Sequence, residues 1–406
     1  MSELLKRIEQ ALRNNSAKSH LKRQLDKLNC QIELLAEGKS FSTIGEYAAQ
    51  TVKLKASTSV WAEIFSAKPP VGKHSLGALR RLCPEFSVEG KEITYLQALP
   101  FLEKLFEDVR AELNPGEVNL SKEFDNLSLL KGQYVDIGNQ QWVYCERSGN
   151  PLGRPVLMLH TAGSDSRQWH GLMTNANLQT KFNLLAFDLP GHGRSPLPAN
   201  QENWDWLLTE AQYMKWVTDL IHALNLESVL LIGCSMGSAI SLGLLANHSE
   251  LFSGGVLLET PYRSPGRRSI FLDHPEVHGN RLAATWVSSL LSPYSPQSRK
   301  DYATWIYSQG APSVYDGDLA FYSDEFAATN HTAKINTTKT PLWLLTGDYD
   351  YSASPEETMK VAQEIPGAKF IRLNGFGHFP MTEDPNRLYG EYLSSVLDEY
   401  LRVTNF

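Results

Sequence analysis

Cysteine is scarce and scattered in this sequence of 406 residues. The four that occur are Cys30, Cys83, Cys145 and Cys234. Because no two of them form a CxxC pair, the sequence contains neither a dense disulfide framework nor a zinc-binding pattern. His274 and His278 are spaced like helical metal ligands but lack the glutamate of an HExxH motif, so we predict no metal. Reduced thiols and a cytoplasmic protein are expected.

Excess positive charge and long apolar runs are also missing. The chain has 38 lysines and arginines against 45 aspartates and glutamates, a net charge of −7, which argues against nucleic acid as a partner. No run reaches the roughly eighteen apolar residues of a membrane span, and the charged N-terminus lacks the apolar core of a secretory signal. What remains, 42% apolar and 20% charged, is the composition of a protein with a substantial core.

The first 125 residues are expected to be helical. A 4,3,4,3 spacing places one set of aliphatic residues on a single helical seam, and its members are Leu21, Leu25, Leu28, Ile32 and Leu35. The seam fits either a helix that faces the core or a helix that makes a homodimer. Further helices are predicted over about 44–67 and 91–113, and the unit could serve dimerisation or act as a lid.

From about residue 132 short aliphatic runs alternate with amphipathic stretches of helix length. The runs are 155–160, 182–188, 228–233, 254–259, 341–347 and 368–373. Continuous apolar runs predict strands covered on both faces, hence a doubly wound, mostly parallel α/β sheet. About eighty residues separate the fourth run from the fifth, which is too long for a loop and predicts a helical cap. The predicted units are 1–125 (all-helical N-terminal region), 126–260 (first part of the core), 261–338 (cap) and 339–406 (second part of the core).

A Gly-Cys-Ser-Met-Gly pentapeptide, 233–237, follows one of these strands and precedes a predicted helix. A serine hydroxyl is a weak nucleophile that must be held on a tight strand-to-helix turn beside a base. Glycines two residues before and two after Ser235 remove side chains that would collide in such a turn. The helix N-terminus also favours an oxyanion beside the serine. We therefore predict that Ser235 is a nucleophile.

An acid and a base follow in the order that a serine triad requires. Asp348 and Asp350 come directly after one predicted strand, and His378 comes after the last strand and before the final helix. We predict that His378 takes the proton of Ser235 and that Asp350 holds the imidazole.

Five segments, in this order, resemble the α/β-hydrolase superfamily. They are HTAGSDSRQW, FDLPGHGRSPLP, GCSMGS, LTGDYDYSASP and GFGHFPMTEDP, and together they span about residues 132–406. The resemblance implies that Asp350, the second acid of GDYD, belongs to the triad. Glu259, at the end of an earlier strand, is the acid position that some relatives use instead. Residues 1–130 resemble no family that we recognise.

The resemblance also implies an oxyanion hole made of backbone amides. One is the amide of Met236, and the second is assigned to Ala162, with Gly163 or Ser164 as alternatives if the loop is shifted. His160 and His192 are interpreted as residues that brace loops. The candidate substrate-binding residues are Trp169, Arg167, Arg263, Trp286, Phe321 and Tyr322.

The expected function is hydrolysis of an ester, lactone or thioester of a small to medium, partly apolar molecule, through an acyl-enzyme and without a cofactor. One alternative is hydrolysis of a carbon–carbon bond in a diketone or dienoate, where Arg167 or Arg263 would hold a substrate carboxylate. The other is a ligand receptor on the same fold that does not turn over its ligand.

Overall fold

The N-terminal region folds as helices around a small sheet, so the prediction of an all-helical region is wrong. This computed structural model describes residues 2–45, 49–198, 206–311 and 313–404. The N-terminal elements are α1 (Glu3–Ser16), α2 (Ser19–Leu28), β1 (Cys30–Ala36), β2 (Lys39–Ile44), β3 (Gln50–Ala56), α3 (Thr58–Ile64), α4 (Leu76–Leu82), β4 (Ser87–Glu89) and α5 (Glu92–Leu113). The strand order is β2-β1-β3-β4, with β1 and β3 parallel.

The predicted leucine seam is divided between two elements. Asn29 adopts a left-handed conformation, with φ of 45°, and this ends α2 directly after Leu28. The last two members of the seam lie in β1, so the seam is not one continuous helix. The side chains of Leu21 and Leu25 lie outside the described residues. A homodimer through these helices therefore stays a prediction.

The predicted helix over 44–67 is also wrong in its first half. Residues 46–48 lie outside the described part of the chain, β3 follows, and only then does α3 begin. Val52, Leu54 and Ala56 are buried while the residues between them are partly exposed, which is the period of two that a strand requires. The helix predicted over 91–113 matches α5.

The rest of the chain forms a mostly parallel eight-stranded sheet with helices on both faces, as predicted. Its elements before the cap are β5 (Lys131–Asp136), β6 (Trp142–Gly149), β7 (Arg154–Leu159), α6 (His170–Met173), α7 (Ala176–Lys181), β8 (Phe182–Phe187), α8 (Glu210–Ala223), β9 (Val229–Cys234), α9 (Met236–Asn247) and β10 (Phe252–Leu258). The strand order is β12-β11-β10-β9-β7-β8-β6-β5, and β6 runs antiparallel to both of its neighbours, β5 and β8.

The long interval between β10 and β11 contains three α-helices that cover the carboxyl edge of the sheet. They are α10 (Gly279–Ser289), α11 (Gln297–Tyr307) and α12 (Val314–Leu319). The elements after this cap are β11 (Leu342–Gly347), α13 (Pro355–Glu364), β12 (Lys369–Leu373), α14 (Pro380–Glu383), α15 (Pro385–Leu388) and α16 (Ser394–Val403).

The cap also packs against the N-terminal unit. Leu272, Leu282 and Ala283 of the cap segment belong to the same buried apolar cluster as α5 and the small sheet. The segment before β5 is held to the cap as well, since Asp125 accepts two hydrogen bonds, of 2.8 and 2.9 Å, from the buried Arg299 guanidinium. No helix in the described ranges has the length and apolarity that crossing a bilayer would require.

Candidate active site

Ser235 lies on a tight turn between β9 and α9. Its φ of 54° and ψ of −115° are strained for a residue with a side chain. A Cβ added at Gly233 would lie 2.3 Å from the carbonyl oxygen of Gly237, and one added at Gly237 would lie 2.2 Å from that of Leu159. Both contacts are too short for any residue but glycine. The two glycines therefore let the turn fold and present the serine at the edge of the sheet.

The three predicted catalytic side chains meet at this edge. His378 Nε2 lies 2.9 Å from Ser235 Oγ, and His378 Nδ1 lies 2.6 Å from Asp350 Oδ2. Asp350 Oδ1 accepts hydrogen bonds from the backbone amides of Ser352, at 2.6 Å, and Ala353, at 3.1 Å. All three side chains are buried. The carboxylate is thus fixed on one side by backbone and faces the imidazole on the other.

Two neighbouring carboxyl groups differ in their ionisation. Burial opposes ionisation of Asp350, but the charge of His378 and its hydrogen bond outweigh burial, so the pKa of Asp350 lies below its usual value. Burial raises the pKa of Glu259 well above the usual range, and the nearby Asp350 raises it further. Both oxygens of Glu259 accept from the amide of Gly347, at 3.0 and 3.2 Å. Asp350 is therefore the acid that contacts the histidine.

Glu259, Asp350 and His378 also form the one cluster of potential metal-binding groups found in the described part of the chain. One donor atom from each lies within 4.8 Å of the others. His378 and Asp350 are joined by a hydrogen bond, and burial favours the neutral state of Glu259. The protonation states of the three groups therefore depend on one another.

The backbone amides of Met236 and Ala162, two residues of the predicted oxyanion hole, have no hydrogen-bond acceptor among the described residues. The two alternatives for the second donor are occupied. The amide of Gly163 donates to Asp318 Oδ2 at 2.7 Å, and the amide of Ser164 donates to a carbonyl oxygen three residues earlier at 3.2 Å. Of the three candidate positions, Ala162 is therefore the one whose amide is left for a ligand.

Asp318, on α12 of the cap, fixes this loop and was not singled out from the sequence. Besides the loop amide, it accepts from His192 Nε2 at 2.7 Å and from Trp206 Nε1 at 3.1 Å. His160 accepts at Nε2 from the amide of Leu189, at 3.1 Å. Both histidines thus bind loops, in the manner that the sequence indicated.

Glu383 fixes the loop that carries the histidine. Its buried carboxylate accepts from the amides of Gly377, at 2.9 Å, and Phe379, at 3.0 Å, which flank His378, and from the amide of Ser292 of the cap, at 3.1 Å. The sequence offered no signal for this role except an acidic residue shortly after the histidine. The loop of His378 and the cap are therefore tied to one carboxylate.

A cavity of about 410 Å³ opens onto Ser235 and His378. Two of the predicted substrate-binding residues, Trp286 and Tyr322, line it, and the Tyr322 hydroxyl lies 3.0 Å from Ser235 Oγ. Sequence analysis missed the other residues that carry polar groups into the cavity, because several come from the N-terminal unit. These are Arg80, Arg81, Tyr95, Arg267, Arg268, Tyr307, Tyr315 and Tyr351.

The remaining predicted substrate-binding residues do not line this cavity, which corrects the prediction. Trp169 and Phe321 are fully buried in the core clusters beneath the cap. Arg167 forms an ion pair with Asp165, at 2.6 Å, because both belong to one tight turn. Arg263 is exposed. Aromatic or basic character alone did not reveal which way these side chains point.

Comparisons with known proteins agree with this architecture. The family model for the alpha/beta hydrolase fold matches residues 154–385, more than half of the chain. An (E)-2-((N-methylformamido)methylene)succinate hydrolase of Acinetobacter baylyi is 29% identical over 244 residues, which cover 58% of this chain and 88% of that protein. A 2-hydroxy-6-oxo-6-(2'-aminophenyl)hexa-2,4-dienoic acid hydrolase of Metapseudomonas resinovorans is 28% identical over 130 residues, 31% of this chain and 41% of that protein.

A solved structure shows the same fold. The enol-lactonase of Burkholderia xenovorans superimposes with a TM-score of 0.57 and 20% sequence identity, over 66% of this chain and all of that one. The fold and the family match together identify the chain as a hydrolase. The chain belongs to the α/β-hydrolase family, and its N-terminal unit lies outside the matched residues.

Proposed function

We propose that the chain is a serine hydrolase that cleaves an ester, lactone or thioester through an acyl-enzyme at Ser235. The observation that carries the proposal is the chain of contacts from Ser235 Oγ to His378 and on to Asp350, with distances of 2.9 and 2.6 Å. His378 Nε2 takes the proton of the serine as its oxygen attacks the carbonyl carbon. Asp350 accepts from Nδ1, and this keeps the lone pair of Nε2 directed at the serine.

The two free amides stabilise the charge that develops on the carbonyl oxygen. Those of Met236 and Ala162 are donors without a partner among the described residues, and that of Met236 is also at the N-terminus of α9. His378 then returns its proton to the leaving group and activates a water molecule that hydrolyses the acyl-enzyme. No step of this sequence requires a cofactor. A cytoplasmic location belongs to the same proposal.

Carbon–carbon bond hydrolysis is the second candidate. It is favoured by two of the arginines that line the cavity, Arg81 and Arg267, and by the dienoic acid hydrolase among the relatives. A panel of chromogenic esters run beside a chromogenic dienoate separates the two. Faster turnover of the dienoate than of every ester would favour carbon–carbon bond hydrolysis over ester hydrolysis.

Covalent labelling tests the nucleophile itself. A fluorophosphonate probe is expected to label the protein at Ser235, and Ser235→Ala is expected to abolish both labelling and ester turnover. Ser289→Ala serves as the matched control, since Ser289 also lines the cavity but its hydroxyl contacts Tyr351, at 2.8 Å. Absence of labelling in a folded protein that binds ligands would favour a receptor and contradict the proposal.

A further inference from the structure

Four arginines lie around the cavity, and two of them are neutralised by carboxylates. Arg80 makes a bidentate pair with Glu92, at 2.7 and 3.1 Å. Arg268 donates to Asp316 at 2.7 and 3.1 Å and to Asp324 at 3.4 Å. Carboxylates of the protein therefore compensate most of the positive charge of Arg80 and Arg268.

The other two arginines, Arg81 and Arg267, have no such partner. Arg81, in the last turn of α4, is exposed and forms no hydrogen bond or ion pair with any residue that the structure describes. Arg267, in the cap segment, donates from Nη2 to the carbonyl oxygen of Ser352, at 2.5 Å. Its Nε is buried and has no acceptor among the described residues. A buried donor without a partner lowers stability, so a ligand with a hydrogen-bond acceptor would stabilise this guanidinium group.

The two free guanidinium groups act on each other. The pKa of Arg81 is lowered, first by the partial burial of its guanidinium and next by the charge of Arg267. Arg267 and Arg81 also act on Glu357, in the first turn of α13: burial raises the pKa of this carboxyl group, while the two guanidinium groups lower it. Glu357 makes no ion pair with either arginine in the described structure. Neither guanidinium is therefore paired with a carboxylate there.

We propose that Arg81 and Arg267 together bind a carboxylate group of the substrate. A carboxylate matches the positive charge and the planar geometry of guanidinium donors, and it would satisfy the orphaned Nε of Arg267. The same cavity contains Ser235, so the bound group belongs to the molecule that is cleaved. The inference rests on the proposed function and narrows it to carboxylated esters, lactones or thioesters.

The subsite also assigns a role to the N-terminal unit. Arg81 comes from α4 and Arg267 from the cap, so neither unit holds both halves of the subsite. Tyr95, Leu96 and Leu99 of α5 also line the cavity, so the N-terminal unit contributes apolar surface as well as Arg81. Substrate selection therefore depends on the contact between the N-terminal unit and the cap.

Matched esters test this inference in the full-length protein. The pair 4-nitrophenyl hydrogen glutarate and 4-nitrophenyl valerate differ in one terminal carboxylate on an acyl chain of equal length. The pair 4-acetoxybenzoate and 4-acetoxybenzamide place the charge on the alcohol side instead. For at least one pair, the ratio of kcat/KM for the charged to the neutral ester is expected to fall tenfold or more in Arg81→Gln and in Arg267→Gln. Arg81→Lys should recover part of that ratio.

Arg263→Gln is the matched control, because Arg263 lies four residues before Arg267 but outside the cavity lining. Its ratio should equal that of the wild type. The carboxylate subsite is overturned if both pairs give unchanged ratios in Arg81→Gln and Arg267→Gln. It is also overturned if a phosphorylated ester is preferred over the carboxylated ones in the wild type.

A binding measurement separates failure of the subsite from failure of the proposed function. Calorimetry with monomethyl glutarate and methyl valerate on Ser235→Ala protein needs no turnover. Preferential binding of monomethyl glutarate that is lost in Ser235→Ala/Arg81→Gln supports the subsite even if Ser235 proves not to be the nucleophile. Equal binding of both ligands overturns it, whatever the labelling of Ser235 shows.

Discussion

Replacement of Asp350 by asparagine is the sharpest test of the proposed catalytic chain. The carboxylate is held in one orientation, because Oδ1 accepts from the amides of Ser352 and Ala353 while Oδ2 faces His378 Nδ1. In Asp350→Asn the amide oxygen must take the place of Oδ1, since only an oxygen can accept from those two donors. The amide nitrogen then faces Nδ1 and donates to it.

This reversal changes the tautomer of the histidine. With Nδ1 accepting a hydrogen bond, the ring proton moves to Nε2, which can no longer take the proton of Ser235. The expected loss is about 10⁴-fold in kcat, equivalent to about 5 kcal/mol of transition-state stabilisation. Most of the fold should survive, because the substitution keeps the size of the side chain and one of its oxygens.

Steady-state turnover of a nitrophenyl ester and the rate of fluorophosphonate labelling measure the effect, with a thermal melt to check folding. Glu259→Gln is the matched control, since Gln keeps an acceptor for the amide of Gly347 and Glu259 makes no hydrogen bond to His378 in the described structure. We expect it to cost less than tenfold. If Asp350→Asn stays within tenfold of wild type while Glu259→Gln loses about 10⁴-fold, the acid has been assigned to the wrong residue.

Two further predictions follow from the contacts of single side chains. Tyr322→Phe removes a hydroxyl that accepts a hydrogen bond from Ser235 Oγ at 3.0 Å. Once His378 has taken the proton of the serine, the same phenol can donate to Oγ, so its loss is expected to lower kcat/KM about tenfold. Kinetics with unchanged or faster turnover would contradict this role. Burial lowers the pKa of His74 to about 3 from 6.5, so the unfolded chain takes up a proton below pH 6.5 that the folded one refuses until about pH 3. Stability contributed by His74 is therefore lost as the pH falls, by about 2 kcal/mol between pH 7 and pH 5. In His74→Gln the difference in unfolding free energy between these two pH values, measured by denaturant titration, should shrink by that amount, and an unchanged difference would show that the imidazole is protonated in the fold.

The serine turn could be predicted because its requirements are local. Gly233 and Gly237 are needed where a Cβ would collide with backbone a few residues away or on the adjacent strand, and the aliphatic run before them reports burial of the strand. Asp350 and His378 could be placed because each directly follows such a run. The carboxyl ends of parallel strands meet at one edge of a sheet, so their order along the chain already implied that the side chains converge.

The N-terminal unit was predicted poorly for a related reason. Buried and partly exposed residues alternate only over 30–34 in β1 and over 51–56 in β3, and a short alternation of this kind competes with a helical spacing in the same segment. The left-handed Asn29 that separates α2 from β1 leaves no trace in the hydrophobic pattern. The pairing of β1 with β3 makes these segments strands rather than helices, and it joins residues about twenty positions apart.

The orientation of the side chains around the cavity could not be predicted from the sequence. Arg167 and Arg263 were as plausible as Arg267 by composition, yet one is held by Asp165 and the other faces solvent. Arg81 stood in a region without a recognised relative. Its place beside Ser235 depends on how the N-terminal unit packs on the cap.

By itself, the sequence determined the family and the sheet, and it predicted that Ser235, Asp350 and His378 meet at one edge of that sheet, because glycine sterics, strand burial and chain order act over short distances. Only the tertiary structure decided which amides stay free, which carboxylates hold the catalytic loops and which arginines remain unpaired. Those properties arise where segments far apart in the chain come into contact, as Asp318 does with the loop after β7 and Glu383 with the loop of His378. A hydrogen bond between distant residues has no signature in the residues between them.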